Sequence, residues 1–344
     1  MYGGSFDDIG EDPATVTWRL LRGLRHQPPG AASASESRRA TFESALEQSE
    51  QLFRAARTVG PAARPPPAFY GLSQAGRAVA SAAHSLPDDG FKLIGHGITC
   101  PGLRQGTESL EHLADVTVSD QRQGVAFVRL ASVLESGSLP EPVRLGDLWG
   151  LLPDLQQPPL PGAGSLRAIS ARWGTAQEQI ELRDFPAGLG TTAALVNELP
   201  SQFTTLQGWG APSSGTPAAI HQSGNWFSPT TSVWLERAAG PGEPTSRRRP
   251  TLDGYGDQHL VLPRVGAADV SMHPFLVWWA LLYSLSMLAR YEPEFWASRI
   301  AIDRSAAALP IEILVDRALA MGPVLAHQAI MQASTPAVWP STGC

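Results

Sequence analysis

Residues 274–289 run for sixteen positions without a charge and include Phe275, Leu276, Val277, Trp278, Trp279, Leu281, Leu282, Leu285, Met287 and Leu288. A helix that is apolar on every side must be buried on every side, in a protein core or in a bilayer. A membrane span needs about 20 apolar residues. This run is shorter, ends on Arg290-Tyr291-Glu292-Pro293, and has no second apolar span beside it. It reads as a core helix, and the rest of the chain must supply enough apolar surface to wrap it. With 344 residues, 43% of them apolar, the chain has the material to do so.

Amphipathic segments at both ends fit that role. Residues 13–25 read as a short helix with Pro13 near its first turn. In 36–59, Phe42, Leu46, Ser49, Phe53, Ala56 and Val59 recur at three- and four-residue steps, with Leu52 flanking them, and Gly60-Pro61 ends the pattern. Pro65-Pro66-Pro67 reads as a stiff entry to a helix over 68–84. The helices over 36–59 and 68–84 are expected to form an antiparallel pair. Further helices are expected at 274–290, 292–300 and 310–331.

The middle has a different pattern. Segments 116–119 and 125–130 alternate around Gln121-Arg122-Gln123-Gly124, which predicts a hairpin. Residues 144–152 read as a turn or two of helix, and 153–165 as a Pro-rich connection. Segments 166–172, 179–185, 231–236 and 259–262 read as strands, and 191–199 as a short helix. Residues 238–250 are rich in Gly and Pro and end on Arg247-Arg248-Arg249-Pro250, which reads as a solvated loop.

Composition excludes several chemistries. Of 26 basic residues only Lys92 is a lysine, in Phe91-Lys92-Leu93. A phosphate-binding Gly-Lys-Ser/Thr loop, a Ser-x-x-Lys nucleophile and a kinase strand lysine are all absent. Two cysteines, Cys100 and Cys344, make neither a disulfide scaffold nor a thiolate zinc site, and the eight histidines show no metal spacing. No metal and no cofactor are expected. Gly188-Leu189-Gly190-Thr191-Thr192-Ala193 imitates a dinucleotide loop, but Pro186 breaks its entry and no acidic residue follows about 20 positions on, so it reads as a helix start. The acidic, unpatterned first eleven residues are no secretory signal, and a cytoplasmic protein without membrane contact is expected.

Two stretches carry a family resemblance. The first is Ala68-Phe69-Tyr70-Gly71-Leu72-Ser73-Gln74-Ala75-Gly76-Arg77-Ala78 with Leu93-Ile94-Gly95-His96-Gly97-Ile98. The second is the segment from Tyr283 to Trp296, with its Leu285-Ser286-Met287-Leu288-Ala289-Arg290-Tyr291 helix end. Together with Leu145-Gly146-Asp147-Leu148 and Leu151-Leu152-Pro153-Asp154, they resemble the YaaC-like bacterial proteins over about residues 15–330, a family with no established activity to carry over. The first half also resembles, more loosely, HEPN-type helical domains, whose nucleases use an Arg-x4–6-His motif on RNA. Here Arg77 and His84 are seven apart, which on a continuous helix puts both on one face. That resemblance implies a catalytic pair, with His handling a ribose 2′-hydroxyl proton and Arg the phosphorane charge. Ala78 departs from the polar residue that active members often have.

Three further residues are candidate ligand contacts. His96, between two glycines, reads either as a ligand loop or as a turn histidine that caps or packs. Arg290 and Tyr291 end the most apolar helix, where an arginine suits the helix dipole and the last carbonyls, or lines a pocket with the N-terminal pair. Two arginines and a histidine brought into one crevice would suit phosphate or carboxylate. Arg247-Arg248-Arg249 and the ten tryptophans are explained more simply as loop and core.

The chain is therefore expected to be a mostly helical α+β protein. A HEPN-like N-terminal helix pair packs with C-terminal helices around a small β-containing insert. The expected regions are 13–105, 106–265 and 266–333. The expected function is a non-catalytic binding or interaction component of a bacterial multi-protein stress or phage-defence system. Its expected partners are another protein or a second copy, with RNA or nucleotide as ligands. The alternative is a HEPN-type RNA-acting enzyme using Arg77 and His84.

Overall fold

The computed structural model describes residues 11–105, 110–121, 125–173, 179–186, 199, 201–210, 230–237, 252–266 and 270–336. Eight helices lie among them: α1 (Pro13–His26), α2 (Glu36–Thr58), α3 (Pro65–Ala82), α4 (Ala126–Val133), α5 (Leu145–Trp149), α6 (Pro274–Tyr291), α7 (Pro293–Ile300) and α8 (Ala308–Ala333). The protein is a mostly helical α+β structure in which N- and C-terminal helices share one core. That core takes residues from Trp18 to Ala333, including Leu113, Val118, Trp149 and Leu160 of the middle region.

Local chemistry starts these helices. Asp12 accepts from Ala14 N at 3.3 Å and Ser35 accepts from Arg38 N at 3.3 Å, satisfying first-turn donors. Pro13, Pro65, Pro274 and Pro293 each open a helix, where the missing N–H is not needed. Pro65-Pro66-Pro67 thus forms the first turn of α3 and not a separate entry segment.

α6 is buried as its composition requires: Phe275, Trp279, Leu281 and Leu285 have no exposed surface. It packs on α3, which is itself buried along most of its length. Glycines make the close approaches to α3 possible, Gly76 on the α6 side and Gly71 on the α2 side. A Cβ on Gly76 would lie 2.6 Å from Trp279 Cζ3 and 2.8 Å from Leu130 Cδ1, and one on Gly71 would lie 2.8 Å from Phe53 Cδ2. α2 and α3 are antiparallel. Ser49 Oγ donates to Gly71 O at 2.8 Å in mid-helix, and Arg38, early in α2, donates to the carbonyls of Ser81 and Ala83 at the end of α3.

The middle contains two sheets. β1 (Ile98–Thr99), β2 (Thr117–Asp120) and β3 (Val143–Arg144) form a small antiparallel sheet inside the helical core. The expected hairpin over 116–130 is not formed: β2 pairs with β1 and β3, and 126–133 is α4. Buried Ala126, Phe127, Leu130 and Ala131 follow helical and not alternating spacing, which explains the difference. The larger sheet is six-stranded and antiparallel, in the order β6 (Trp209–Gly210), β7 (Thr230–Arg237), β5 (Gln179–Pro186), β4 (Ile169–Trp173), β9 (Gln258–Val261) and β8 (Asp253–Tyr255). It contains the four expected strands, with β6 and β8 as short edges. Ile180, Leu182, Val233, Leu235 and Val261 form its own smaller core with Phe203, Leu206 and Trp209.

The glycine motif over 188–193 and Arg247–Arg249 lie outside the described residues, as does all of 191–199 except Leu199. Among the described residues no helix is long and apolar enough to cross a membrane.

The α3–α6 contact generates a direct test. Gly76→Ala places a methyl group where Trp279 and Leu130 already sit, in a core without slack. Chemical denaturation is expected to show a loss of about 1–3 kcal/mol. An unchanged midpoint would mean that the two helices do not meet this closely.

Candidate functional site

His96 sits in a loop between α3 and β1 whose backbone only glycine suits. Gly95 has φ +63° and Gly97 φ +78°, and a Cβ on Gly97 would fall 2.3 Å from Phe127 N. This fixes the imidazole against three aromatic rings. Its centroid is 5.0 Å from Phe69 and 5.6 Å from Tyr70, both edge-on, and 6.0 Å from Tyr283. Phe69 and Tyr70 come from α3 and Tyr283 from α6.

Two arginines complete the cluster. Arg290, in the last turn of α6, donates from Nε to Ser286 O at 3.2 Å and from Nη1 to Tyr70 Oη at 3.1 Å. Its guanidinium lies 5.7 Å from the Tyr70 ring centre and 4.9 Å from that of Tyr291. Arg77, two turns along α3 from Tyr70, donates from Nη1 to Leu93 O at 3.2 Å. Its Nε is buried without an acceptor, and His96 Nδ1 is likewise buried without a partner. Burial, then the charges of Arg290 and Arg77, hold the His96 pKa below its usual value. The imidazole is therefore kept neutral beside two permanent positive charges.

The structure thus brings together His96, Arg77, Arg290 and Tyr291, and with them the two stretches that carry the family resemblance. His84 is elsewhere. α3 ends at Ala82, and Ala83 is already extended, with φ −72° and ψ 124°. The shared helical face expected for Arg77 and His84 does not extend that far. His84 lies in an exposed turn and lines a different cleft, one that Arg77 does not touch. The helical face does not bring Arg77 and His84 together, and His84 stands at the second cleft.

That second cleft was not legible in the sequence. It has a volume of about 930 Å³ and lies between β8 of the larger sheet and the helical core. Asp253 of β8 opens onto it with no hydrogen-bonding or charged partner among the described residues, and burial pushes its pKa up to about 7. His273, across the cleft, is held neutral by burial, its pKa lowered to about 4. His273 Nδ1 accepts from Phe275 N at 3.1 Å, which caps α6 and leaves Nε2 to donate to Gln332 Oε1 at 3.2 Å. Thr205 Oγ1 is buried in the same wall without a partner. Nothing in the local sequence around Asp253 signals a desolvated carboxyl.

The Asp253 carboxyl has a consequence for stability. Its folded pKa is raised, so the fold holds the proton more tightly than the unfolded chain does. The resulting penalty is absent below the unfolded value of about 4 and complete above about 7. Asp253→Asn is expected to exceed the parent by on the order of 3 kcal/mol at about pH 8, with the gain vanishing toward about pH 4. Parallel pH–stability profiles of the two proteins would place this carboxyl in water.

Comparison with known proteins adds one positive finding. The family model described as YaaC-like Protein matches residues 13–330, nearly the whole chain. No curated protein matches, and no solved structure matches. The chain belongs to the YaaC-like family.

Proposed function

For this member of the YaaC-like family we propose a non-catalytic binding role, in which the His96 cluster takes an anionic group, a phosphate or a carboxylate. The observation that carries this reading is the field at His96. A neutral imidazole is held by glycines and aromatic rings where the charges acting on it are those of Arg290 and Arg77. Arginine presents forked donors to an oxyanion, and the Tyr70 hydroxyl, bound to Arg290, adds a further polar group. Arg77 Nε and His96 Nδ1 remain as unused hydrogen-bonding groups. The end of α3 at Ala82, before His84, favours the binding role over an RNA-cleaving pair.

The rim supports a protein partner, another protein or a second copy. Ile94, 71% exposed, and Tyr291, 61% exposed, flank the cluster. Such side chains suit the edge of a contact whose centre is the anion site. A place in a bacterial stress or phage-defence assembly belongs to this proposal, as does a cytoplasmic setting, which the buried free thiol of Cys100 fits.

Titration with inorganic phosphate and with malonate, followed by calorimetry at low salt, tests the anion site. Saturable binding is expected. His96→Ala and Arg290→Ala are each expected to weaken it at least about tenfold while leaving stability within roughly 1–2 kcal/mol of the parent. Failure of both anions to saturate, or equal affinity in both variants, would sink the proposal. Severe unfolding of both variants would show instead that these residues hold the fold. RNA cleavage by the parent that His84→Ala abolishes would contradict the non-catalytic reading.

A further inference from the structure

The cleft at Asp253 is opposite in charge to the His96 cluster and stands apart from the anion proposal. Two carboxylic residues line it, Asp253 and Glu135, and no Arg or Lys does among the described residues. Its volume of about 930 Å³ is that of a small-molecule site. The Asp253 carboxyl is half-buried in the cleft wall and has no partner among the described residues, an arrangement that costs free energy unless something arrives to pair with it. Thr205 Oγ1 in the same wall is also buried and unpaired.

Glu135 stands at the end of α4. It has φ +50°, a left-handed conformation that non-glycine residues adopt at a penalty. The conformation closes the end of α4, where Ser136 N donates to Ala131 O at 2.8 Å. Glycine is the usual residue there. Glu135 is exposed at the mouth of the cleft, whereas Asp253 lies deeper. The walls are mixed, with Val133, Leu252 and Val270 as apolar surface beside polar residues such as Ser271 and Gln332. Among the described residues no group of three His, Cys, Asp or Glu side chains is placed to hold a metal ion.

We propose that this cleft binds a small organic amine, its ammonium group against the Asp253 carboxylate and its hydrocarbon body along Val133, Leu252 and Val270. Glu135 attracts the cation at the mouth, and Thr205 Oγ1 accepts a hydrogen bond from the ammonium. An arriving cation favours the ionised form of a carboxyl that burial otherwise keeps protonated, so the ligand supplies the missing partner.

Calorimetric titration of the full chain with hexylamine and with spermidine tests this, with hexanol as the uncharged control. Both amines are expected to bind at one saturable site with Kd below about 1 mM, and hexanol to show no saturation. Asp253→Asn is expected to weaken amine binding at least about tenfold and Glu135→Gln about threefold, with Arg290→Ala leaving it unchanged. Thermal melts establish that each variant is folded, and Thr205→Val, expected to weaken binding about threefold, serves should Asp253→Asn fail to fold. No saturation by either amine, equal binding of hexanol, or affinity unchanged in a folded Asp253→Asn or, in its place, Thr205→Val overturns the proposal. Because Arg290→Ala and phosphate report only on the His96 cluster, the two sites fail or succeed separately.

Discussion

The close approach of α6 to α3, with Trp279 lying over Gly76, is the contact on which the rest of the structure depends. α6 has no polar face, so it is stable only if surrounded. α3 supplies the inner wall because it is rich in small residues, and its glycines admit rings where a side chain would stand. α2 covers α3 from outside, with Phe53 reaching the Gly71 and Gly322 positions. The Trp279 indole Nε1 is buried without an acceptor, a polar cost accepted for the apolar area its ring buries.

Burial of α6 also decides where polar chemistry can occur. Its flanks are buried, so polar groups that reach a cleft or the surface gather at its ends. His273 caps the N-terminus and lines the Asp253 cleft, and Arg290 lies in the last turn beside His96. A helix of this length spans about 27 Å, so the two sites are separate. Their charges follow the helix dipole, with carboxyls near the N-terminal end and an arginine at the C-terminal end. The two ends thus offer opposite electrostatic surroundings from one rigid element.

Rigidity distinguishes the His96 loop from an ordinary surface turn. Arg129 donates to Gly90 O at 3.0 Å and to Lys92 O at 3.3 Å, while Arg77 holds Leu93 O. Carbonyl contacts at Gly90, Lys92 and Leu93 from two helices therefore set the path of the chain just before His96. The imidazole is preorganised by backbone conformation on one side and by the Phe69, Tyr70 and Tyr283 rings on the other. A ligand arriving here would meet donors already in position.

Much of this was legible in the amino-acid order because it is local. The uncharged run at 274–289 dictates a buried helix, Pro13 marks where a helix begins, and the glycines on either side of His96 set its loop apart. The nearness of His96 to Arg290 was legible only as an expectation from two resembling stretches. Other features are non-local. α3 stops at Ala82, two residues short of His84, where the Arg38 guanidinium from α2 donates to the carbonyls of Ser81, Ala83 and Leu86. Residues 126–133 become helix because Phe127 and Leu130 must reach a core built from distant segments, which alternation over a few residues does not reveal. Asp253 becomes a buried carboxyl only when the edge of the sheet docks on α8. Local sequence determined the helices and the charge at each position. Tertiary packing alone decided which of those charges lost their water, because desolvation is set by neighbours that the chain brings from far away.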